Sequence, residues 1–494
     1  MRDGSLTLAL PDEAATARLA EALAAMLAPG DVIALHGDLG AGKTTLARAL
    51  IRAVAEDDGL DVPSPTFTLA QLYPGRVPIT HFDLYRLGAP DEMDELGFDE
   101  AMETGAVLVE WPERAEGRLP ATALTLALDF GGAGRQARLA GGGSWPDRLA
   151  RLAAIAAFLD AAGWGAARRH HLSGDASGRS YQRLRHADGS RAVLMDARDR
   201  LPGPALWSGR SYDEVAHRAT SVAPFLAMNM ALHGLGFSTP AIFAADLSAG
   251  LLLLEDLGSE GLIRDGVPDA GRWRVAAELL AHLHAAPRPA VLPLPGGAVH
   301  RIPPFDIDAF LIEVDQMPRW YARFIGAELP REAEAEYAAI WRGLHARIDA
   351  TEKSWLLRDF HSPNLFWLDD RAGLARIGII DHQDALIGPA AYDVASLAED
   401  VRVDLSPAFE AAVIEAYAAA RRAHGPFDRA AFDIAYAIAA AQRNTKVLGA
   451  FARFGKPQYL RHIPRVRAYL KRNLAHPVLS DLALWYDRHL PLGD

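Results

Sequence analysis

Apolar positions along the chain change period several times, and each change marks an element. Leu6 to Leu10 alternates weakly, as a half-buried strand does. From Pro11-Asp12-Glu13 the apolar residues recur at helical spacing to about Leu27, with Asp12 placed to cap the first turn. Pro29-Gly30-Asp31 turns the chain into Val32-Ile33-Ala34-Leu35, a continuous apolar run that predicts a buried strand, and Thr45 to Val54 returns to the helical period. Further strands are predicted up to Tyr73, up to Asp83, over Val107–Val109, over Ala123–Leu128 and over Arg135–Leu139. A helix follows over about 146–162, then strands on either side of 172–181, a third strand over Arg191–Met195, a helix over 211–233 and an apolar run from Gly250. Beyond about residue 396 the pattern is helical, over 407–423, 428–452, 457–474 and 479–489. Strands interleaved with helices predict an α/β domain first; strands followed by many helices predict an α+β domain second. Gly141-Gly142-Gly143-Ser144 reads as a flexible linker, which puts the boundary near 142.

Composition narrows the class. The 494 residues are half hydrophobic, so the chain is globular and long enough for two domains, 1–142 and 143–494. No run of 18 apolar residues and no basic N-terminal region followed by an apolar stretch are found, which predicts no membrane span and a cytoplasmic protein. Without cysteine there is no disulfide, thiolate metal site or thiol nucleophile. The net charge of −12 is uneven: residues 1–143 hold 22 acids against 11 bases, and the remainder 41 against 40. So acidic a first domain suits a protein partner better than a direct grip on nucleic acid.

Gly37-Asp38-Leu39-Gly40-Ala41-Gly42-Lys43-Thr44, with Thr45 next, fits the glycine-rich loop whose backbone N–H groups cradle nucleotide phosphates at a helix start. Its lysine reaches the β/γ-phosphates and its threonine ligates Mg²⁺. With only five lysines in the chain, the match is specific. Val62-Pro63-Ser64-Pro65-Thr66-Phe67 is a stiff loop, either presenting Thr66 to a γ-phosphate or serving as an ordinary turn. Asp83 ends one strand and is either a second anchor for Mg²⁺ or a solvated strand-end acid. Glu110-Trp111 ends another; the pair suits water or metal positioning and adenine stacking, or else a capping acid beside a core tryptophan.

In this order, GDLGAGKT, Ser64-Pro65-Thr66-Phe67, His81-Phe82-Asp83-Leu84-Tyr85-Arg86-Leu87 and Glu110-Trp111-Pro112-Glu113 resemble the TsaE family of P-loop ATPases in bacterial tRNA threonylcarbamoyladenosine synthesis, over about residues 5–140. The resemblance implies an α/β P-loop NTPase domain that hydrolyses ATP in support of TsaB- and TsaD-like partners, which modify adenosine 37 of tRNA. It implies Lys43, Thr44, Asp83 and Glu110 as nucleotide, magnesium and hydrolysis residues, with Trp111 near the base.

In the second domain, Asp359 and Asn364 stand five apart between strand-like runs, and Asp381 follows Ile377-Gly378-Ile379-Ile380. That is the spacing of a kinase catalytic loop: the first acid takes the attacking hydroxyl's proton, while the asparagine and the later acid hold Mg²⁺. The stretch resembles the aminoglycoside phosphotransferase and choline kinase group, except that Leu357 stands where the group has histidine. Tyr392-Asp393-Val394-Ala395 matches a further element, expected to brace the catalytic segment. Gly174-Asp175-Ala176-Ser177-Gly178-Arg179-Ser180-Tyr181 and Ala192-Val193-Leu194-Met195-Asp196-Ala197 resemble the AmgK group, which phosphorylates the anomeric hydroxyl of N-acetylmuramate and N-acetylglucosamine. The resemblance implies a two-lobed protein-kinase-like fold, with an N-lobe over about 165–258 and a C-lobe over about 259–494. The run with Gly174, Ser177 and Gly178 is either a glycine-rich hairpin that covers ATP phosphates, as in protein-kinase-like folds, or a plain turn. Glu255 lies in a run that resembles the hinge between two lobes, and the AmgK resemblance implies an amino sugar as acceptor. Met195 occupies the place of the usual third-strand lysine, and Arg183, Arg185 and Arg191 are the cations available to phosphates instead. Another hydroxyl acceptor, aminoglycoside or choline-like, and a nucleotide-binding pseudokinase scaffold remain as alternatives. Nine bases and no acid lie between Asp433 and Asp481, either as a basic stripe for RNA or phosphosugars or as a solvated helix face.

Overall fold

The computed structural model describes residues 4–132, 134–172 and 178–493. Its chain forms two compact units: one runs to Arg198 and takes in Ile242–Asp256, and the other holds Asp199–Ala241 and everything from Leu257.

The first unit opens with β1 (Leu6–Leu10), α1 (Glu13–Met26), β2 (Val32–His36) and α2 (Lys43–Ala55). Asp12 caps α1 by accepting the Ala15 N–H at 2.7 Å. β3 (Ala70–Tyr73), β4 (Ile79–Asp83), β5 (Ala106–Glu110), β6 (Leu124–Gly131) and β7 (Gly134–Gly141) complete a seven-stranded mixed sheet in the order β1-β7-β6-β2-β5-β4-β3. The central strand β2 is parallel to β5 and β6, and β4 is parallel to β5. Strands with helices on their faces must be apolar throughout, which is why Val32–Leu35 and Ala106–Val109 are buried at every position. This register sets the C-terminal ends of β2, β4 and β5 side by side, where open α/β sheets bind ligands.

The glycine turn after β7 is close-packed rather than loose. A Cβ on Gly142 would stand 2.5 Å from the Ala121 carbonyl oxygen, and one on Gly141 would meet Ala123 and Trp145 at 3.0 Å. α3 (Trp145–Ala161) then buries Trp145, Leu149 and Leu152 in the P-loop core, and Ile155 and Leu159 in the next sheet. That sheet has the order β11-β12-β10-β9-β8, from β8 (Arg168–Leu172), β9 (Ser180–Arg185), β10 (Arg191–Asp196), β11 (Ile242–Asp246) and β12 (Leu251–Glu255). Glu21 of α1 pairs with the Arg168 guanidinium and accepts the Arg169 N–H at 2.8 Å.

The second unit is mainly helical. The helix expected over 211–233 is two: α4 (Tyr212–Val215), started by a Ser211/Glu214 capping box, and α5 (Ala223–Gly234). His217 takes a left-handed φ of 53°, which stops the first, and Pro224 sits in the first turn of the second, where a missing N–H costs nothing. α6 (Ala270–Ala285), α7 (Ile307–Val314) and α8 (Arg331–Asp349) precede two short antiparallel strand pairs, one nested within the other in sequence. β13 (Lys353–Leu356) pairs with β16 (Leu386–Pro389), and β14 (Leu365–Trp367) pairs with β15 (Ile377–Ile379). α9 (Ala391–Ala398), α10 (Pro407–His424), α11 (Arg429–Phe454), α12 (Ile463–Asn473) and α13 (Ser480–His489) follow. The single helix expected over 457–474 is a short turn, Pro457–Leu460, and then α12, whose first turn holds Pro464.

Candidate active sites

In the first unit the loop after β2 needs its glycines. Gly37 has φ 141°, and a Cβ there would lie 2.5 Å from the Leu128 carbonyl oxygen. Gly42, left-handed at φ 107°, is the N-cap of α2, and no side chain caps that helix. Backbone donors at a helix mouth with no side-chain acceptor of their own suit an anion.

Lys43 is folded back on its own loop. Its Nζ donates to the carbonyls of Gly37 at 2.7 Å and Asp38 at 3.1 Å, and stands 3.7 Å above the Trp111 ring. Burial lowers its pKa, against the pull of Glu110, Glu113 and Asp83. Trp111, with φ 61°, also leans on Tyr85 at 5.1 Å, so in this state its face meets the lysine. Leu39 is exposed at the loop tip, Ala41 is buried, and Thr45 follows on the first turn of α2.

The parallel register of β4 and β5 sets Asp83 opposite Glu110. Thr44 Oγ1 donates to Glu110 Oε2 at 2.9 Å, and His81 Nε2 lies 3.1 Å from the other carboxylate oxygen. Asp83 turns to the proline-framed loop: its Oδ2 accepts from Ser64 at 2.6 Å and Thr66 at 2.9 Å, and its Oδ1 from the Tyr85 N–H. One contributor carried no signal in the sequence: Arg135 of β7 donates to the loop carbonyls of Ala41 at 3.0 Å and Gly40 at 3.2 Å. Ser64, part of the Ser64-Pro65-Thr66-Phe67 motif, joins Thr66 on Asp83. Arg135 acts across more than 90 residues, which a linear pattern does not record.

In the second unit the segment after β13 is braced from α9. Asp393, fully buried, accepts the N–H groups of Leu357 at 2.6 Å and Arg358 at 2.9 Å, and Arg358 takes a left-handed φ of 69°. Asn364 Nδ2 donates to the Asp359 carbonyl at 2.9 Å and to Asp381 Oδ2 at 3.3 Å. Asp381, itself left-handed at φ 58°, also accepts from Gln383 at 2.7 Å. Asn364 thus ties the Asp359 backbone to the Asp381 carboxylate. Non-glycine residues are strained there, and such strain concentrates at functional sites.

Buried cations surround Asp359. Although burial opposes its charge, the cations Lys446, Arg218 and Arg358, joined by His361 only when that ring is protonated, hold its carboxyl well below the usual range. Arg358 pairs with Glu313 of α7 in the core, and Lys446 reaches the same carboxylate at 2.9 Å. Glu313 is buried, yet those two cations keep it ionised, down to about 2. Burial and Arg402 push His361 down to about 4, and its Nε2 is 3.9 Å from Asp359. Arg218 pairs with Asp384 at 2.9 Å, and the Ala219 N–H bonds the same carboxylate at 2.6 Å. No motif marks Arg218 or Lys446, which the fold alone brings to Asp359, whereas His361 lies within the Asp359–Asn364 loop itself.

Of the other expected residues, Gly174 and Ser177 lie outside the described residues, Gly178 is left-handed at φ 67°, and Glu255 ends β12 opposite Ala192. Met195 is buried. Arg183 shares its sheet face, because Tyr181 and Arg183 pair with Met195 and Val193, and forms an ion pair with Asp256 at 2.8 Å. Three of the nine bases after Asp433 are engaged within the fold: Lys446 is inside, Arg465 pairs with Asp404 at 2.5 Å and Arg472 with Glu410 at 2.5 Å. Among the described residues no helix is long and apolar enough to cross a membrane.

The profile of the family described as Threonylcarbamoyl adenosine biosynthesis protein TsaE matches residues 10–137, and that of the Phosphotransferase enzyme family matches residues 169–427. An N-acetylmuramate/N-acetylglucosamine kinase of Caulobacter vibrioides is 37% identical over 358 residues, 69% of this chain and 97% of that protein. A tRNA threonylcarbamoyladenosine biosynthesis protein TsaE of Haemophilus influenzae is 37% identical over 134 residues, 26% of this chain and 83% of its own. The Rickettsia felis protein of the same name is 45% identical over 107 residues, 22% of this chain, which spans 62% of that protein. An α/β P-loop domain and a kinase-like domain thus follow one another on this chain, which belongs to the TsaE family over its first part and, with the N-acetylmuramate/N-acetylglucosamine kinases, to the phosphotransferase enzyme family over the rest.

Proposed function

We propose that the chain carries two ATP-using centres, with the functional boundary near residue 142. The first hydrolyses ATP for threonylcarbamoyl modification of tRNA adenosine 37, acting with TsaB- and TsaD-like proteins through which it meets tRNA. The second transfers the γ-phosphoryl group of ATP to the anomeric hydroxyl of N-acetylmuramate or N-acetylglucosamine. A cytoplasmic location is part of this reading.

The observation that carries it is Asn364, whose amide joins the Asp359 backbone to the Asp381 carboxylate next to a segment braced by Asp393. Asp359, kept deprotonated among cations, is free to accept the sugar hydroxyl's hydrogen bond and aim that oxygen, taking its proton late as it attacks the γ-phosphorus and ADP leaves. Hard oxygen donors fit Mg²⁺ in both places: Thr44, Asp83 and Glu110 in one, Asn364 and Asp381 in the other. Bound there, the ion supplies charge neutralisation along the phosphates. In the first centre the loop amides from Gly37 to Thr45 cradle the phosphates, Lys43 leaves its carbonyls for them, and Glu110 orients the hydrolytic water. Thr66 senses the γ-phosphate, and Trp111, once Lys43 departs, has a face free for the base. In the second, the loop around Gly174, Ser177 and Gly178, with the hinge at Glu255, holds the nucleotide.

The test is purified full-length chain, ATP and each amino sugar, followed by ³¹P NMR. A sugar 1-phosphate that disappears with Asp359→Asn is the expected result; equal ATP use by wild type and variant across the sugar panel overturns the kinase reading. ATP hydrolysis stimulated by the partner proteins and tRNA, and lost with Lys43→Ala, is the matching result for the first centre.

A further inference from the structure

Glu110 is gripped at both oxygens, and only one grip is accounted for by the P-loop. Thr44 takes Oε2 at 2.9 Å; the other partner is His81, whose Nε2 stands 3.1 Å from Oε1. The register explains why the ring reaches it. Asp83 lies opposite Glu110 on the parallel pair β4/β5, and His81, two residues before Asp83, points to the same face. Both side chains are almost completely hidden, at 0% exposure for His81 and 2% for Glu110.

The second ring nitrogen decides what the histidine is doing. His81 Nδ1 is buried and has no hydrogen-bond partner among the described residues. Nε2 is thus the ring nitrogen that meets a partner, and that partner is the Glu110 carboxylate. A histidine placed only to fill the core has no reason to spend its one bond on the acid that touches the P-loop threonine. We propose that His81 is a positioning residue of the ATPase centre. Through Nε2–H it locks the Glu110 carboxylate in the rotamer that meets Thr44 and keeps it from turning when Lys43 and Trp111 rearrange around nucleotide.

This rests on Glu110 being the hydrolytic carboxylate, and the experiment separates the two ideas. Wild type, Glu110→Gln, His81→Gln, His81→Asn and His81→Ala are compared as full-length chains. The measurements are hydrolysis with the partner proteins present, affinity for a fluorescent ATP analogue, and the ring tautomer from long-range ¹H–¹⁵N NMR, assigned by its loss in His81→Gln. His81→Asn, too short to reach Oε1, and His81→Ala lower kcat about 10- to 100-fold, as loss of an outer partner of a metal-site ligand does. KM and analogue affinity change less than about twofold, the signature of an interaction made at the transition state. His81→Gln, with an amide N–H at the length of Nε2, recovers most of the rate, and the wild-type ring shows the Nε2–H tautomer. Equal rates for the Gln and Asn variants, a loss that follows analogue affinity, or an Nδ1–H tautomer overturns the proposal. If Glu110→Gln hydrolyses ATP at the wild-type rate, the reading of Glu110 falls instead. If it is inactive while every His81 variant is normal, only the role of His81 falls.

Discussion

The P-loop centre and the Asp359 centre both gather charge away from water, and they do it with opposite materials. The first relies on backbone: glycines with positive φ, carbonyls that hold Lys43 in reserve, and one carboxylate tied to Thr44. Its cation is weakened by burial. The second relies on side chains: Asp393 pins two strained peptides, and a buried network from Glu313 to Arg358 and Lys446 keeps Asp359 ionised against its own burial. A backbone site is vulnerable to a methyl group, whereas a side-chain site is vulnerable to the loss of one charge. That contrast can be broken experimentally.

The largest effect is expected at Asp359. Asp359→Asn should lower sugar phosphorylation about 10²- to 10⁴-fold, the range for removing a general base, and leave partner-stimulated ATP hydrolysis unchanged. Lys43→Ala should do the reverse. Each variant assayed for both reactions checks whether the two centres are independent.

Next comes Glu313→Ala, which leaves Arg358 and Lys446 as unpaired cations in the core. Breaking one partner of a buried ion network costs about 3–5 kcal/mol, read as a lower urea midpoint for the helical unit. Gly37→Ala should act on the other centre. At φ 141°, with a Cβ 2.5 Å from Leu128 O, it should cost about 1–3 kcal/mol and abolish binding of a fluorescent ATP analogue. Thr44→Ala, with no such clash, should bind nucleotide less tightly at normal stability.

The smallest effect is a pH dependence. His284, buried and hydrogen-bonded to Tyr417, is pushed down to about 3 chiefly by burial. Its native state favours the neutral ring, so the contribution is whole above the unfolded pKa of about 6.5 and is lost as pH falls below it toward the folded value. Between pH 7 and 5 that amounts to about 2 kcal/mol. His284→Gln should flatten the fall of unfolding free energy over that window by this amount, and an unchanged slope would remove the ring from the account.

Local rules were read directly. Asp12 caps its helix, the continuous apolar runs are buried central strands, and the glycines of the P-loop stand where their conformations are required. Errors arose where a local pattern met a distant partner. The periodicity over 211–233 is helical, yet Asp384, more than 160 residues later, binds the Ala219 N–H and Arg218 and holds the chain in a loop. The glycine triplet at 141–143 has the composition of a linker, yet Ala121, Ala123 and Trp145 press on it.

The spacing of Asp359 from Asn364 and the need for glycine at positions 37, 40 and 42 were legible in the sequence, because each depends on residues within one loop. The tertiary structure decided which carboxylate meets Thr44, that Trp111 shelters Lys43, that Arg135 clamps the loop, and which cations surround Asp359. Those contacts join residues tens to hundreds of positions apart. They depend on strand register and helix packing, which a one-dimensional pattern does not contain.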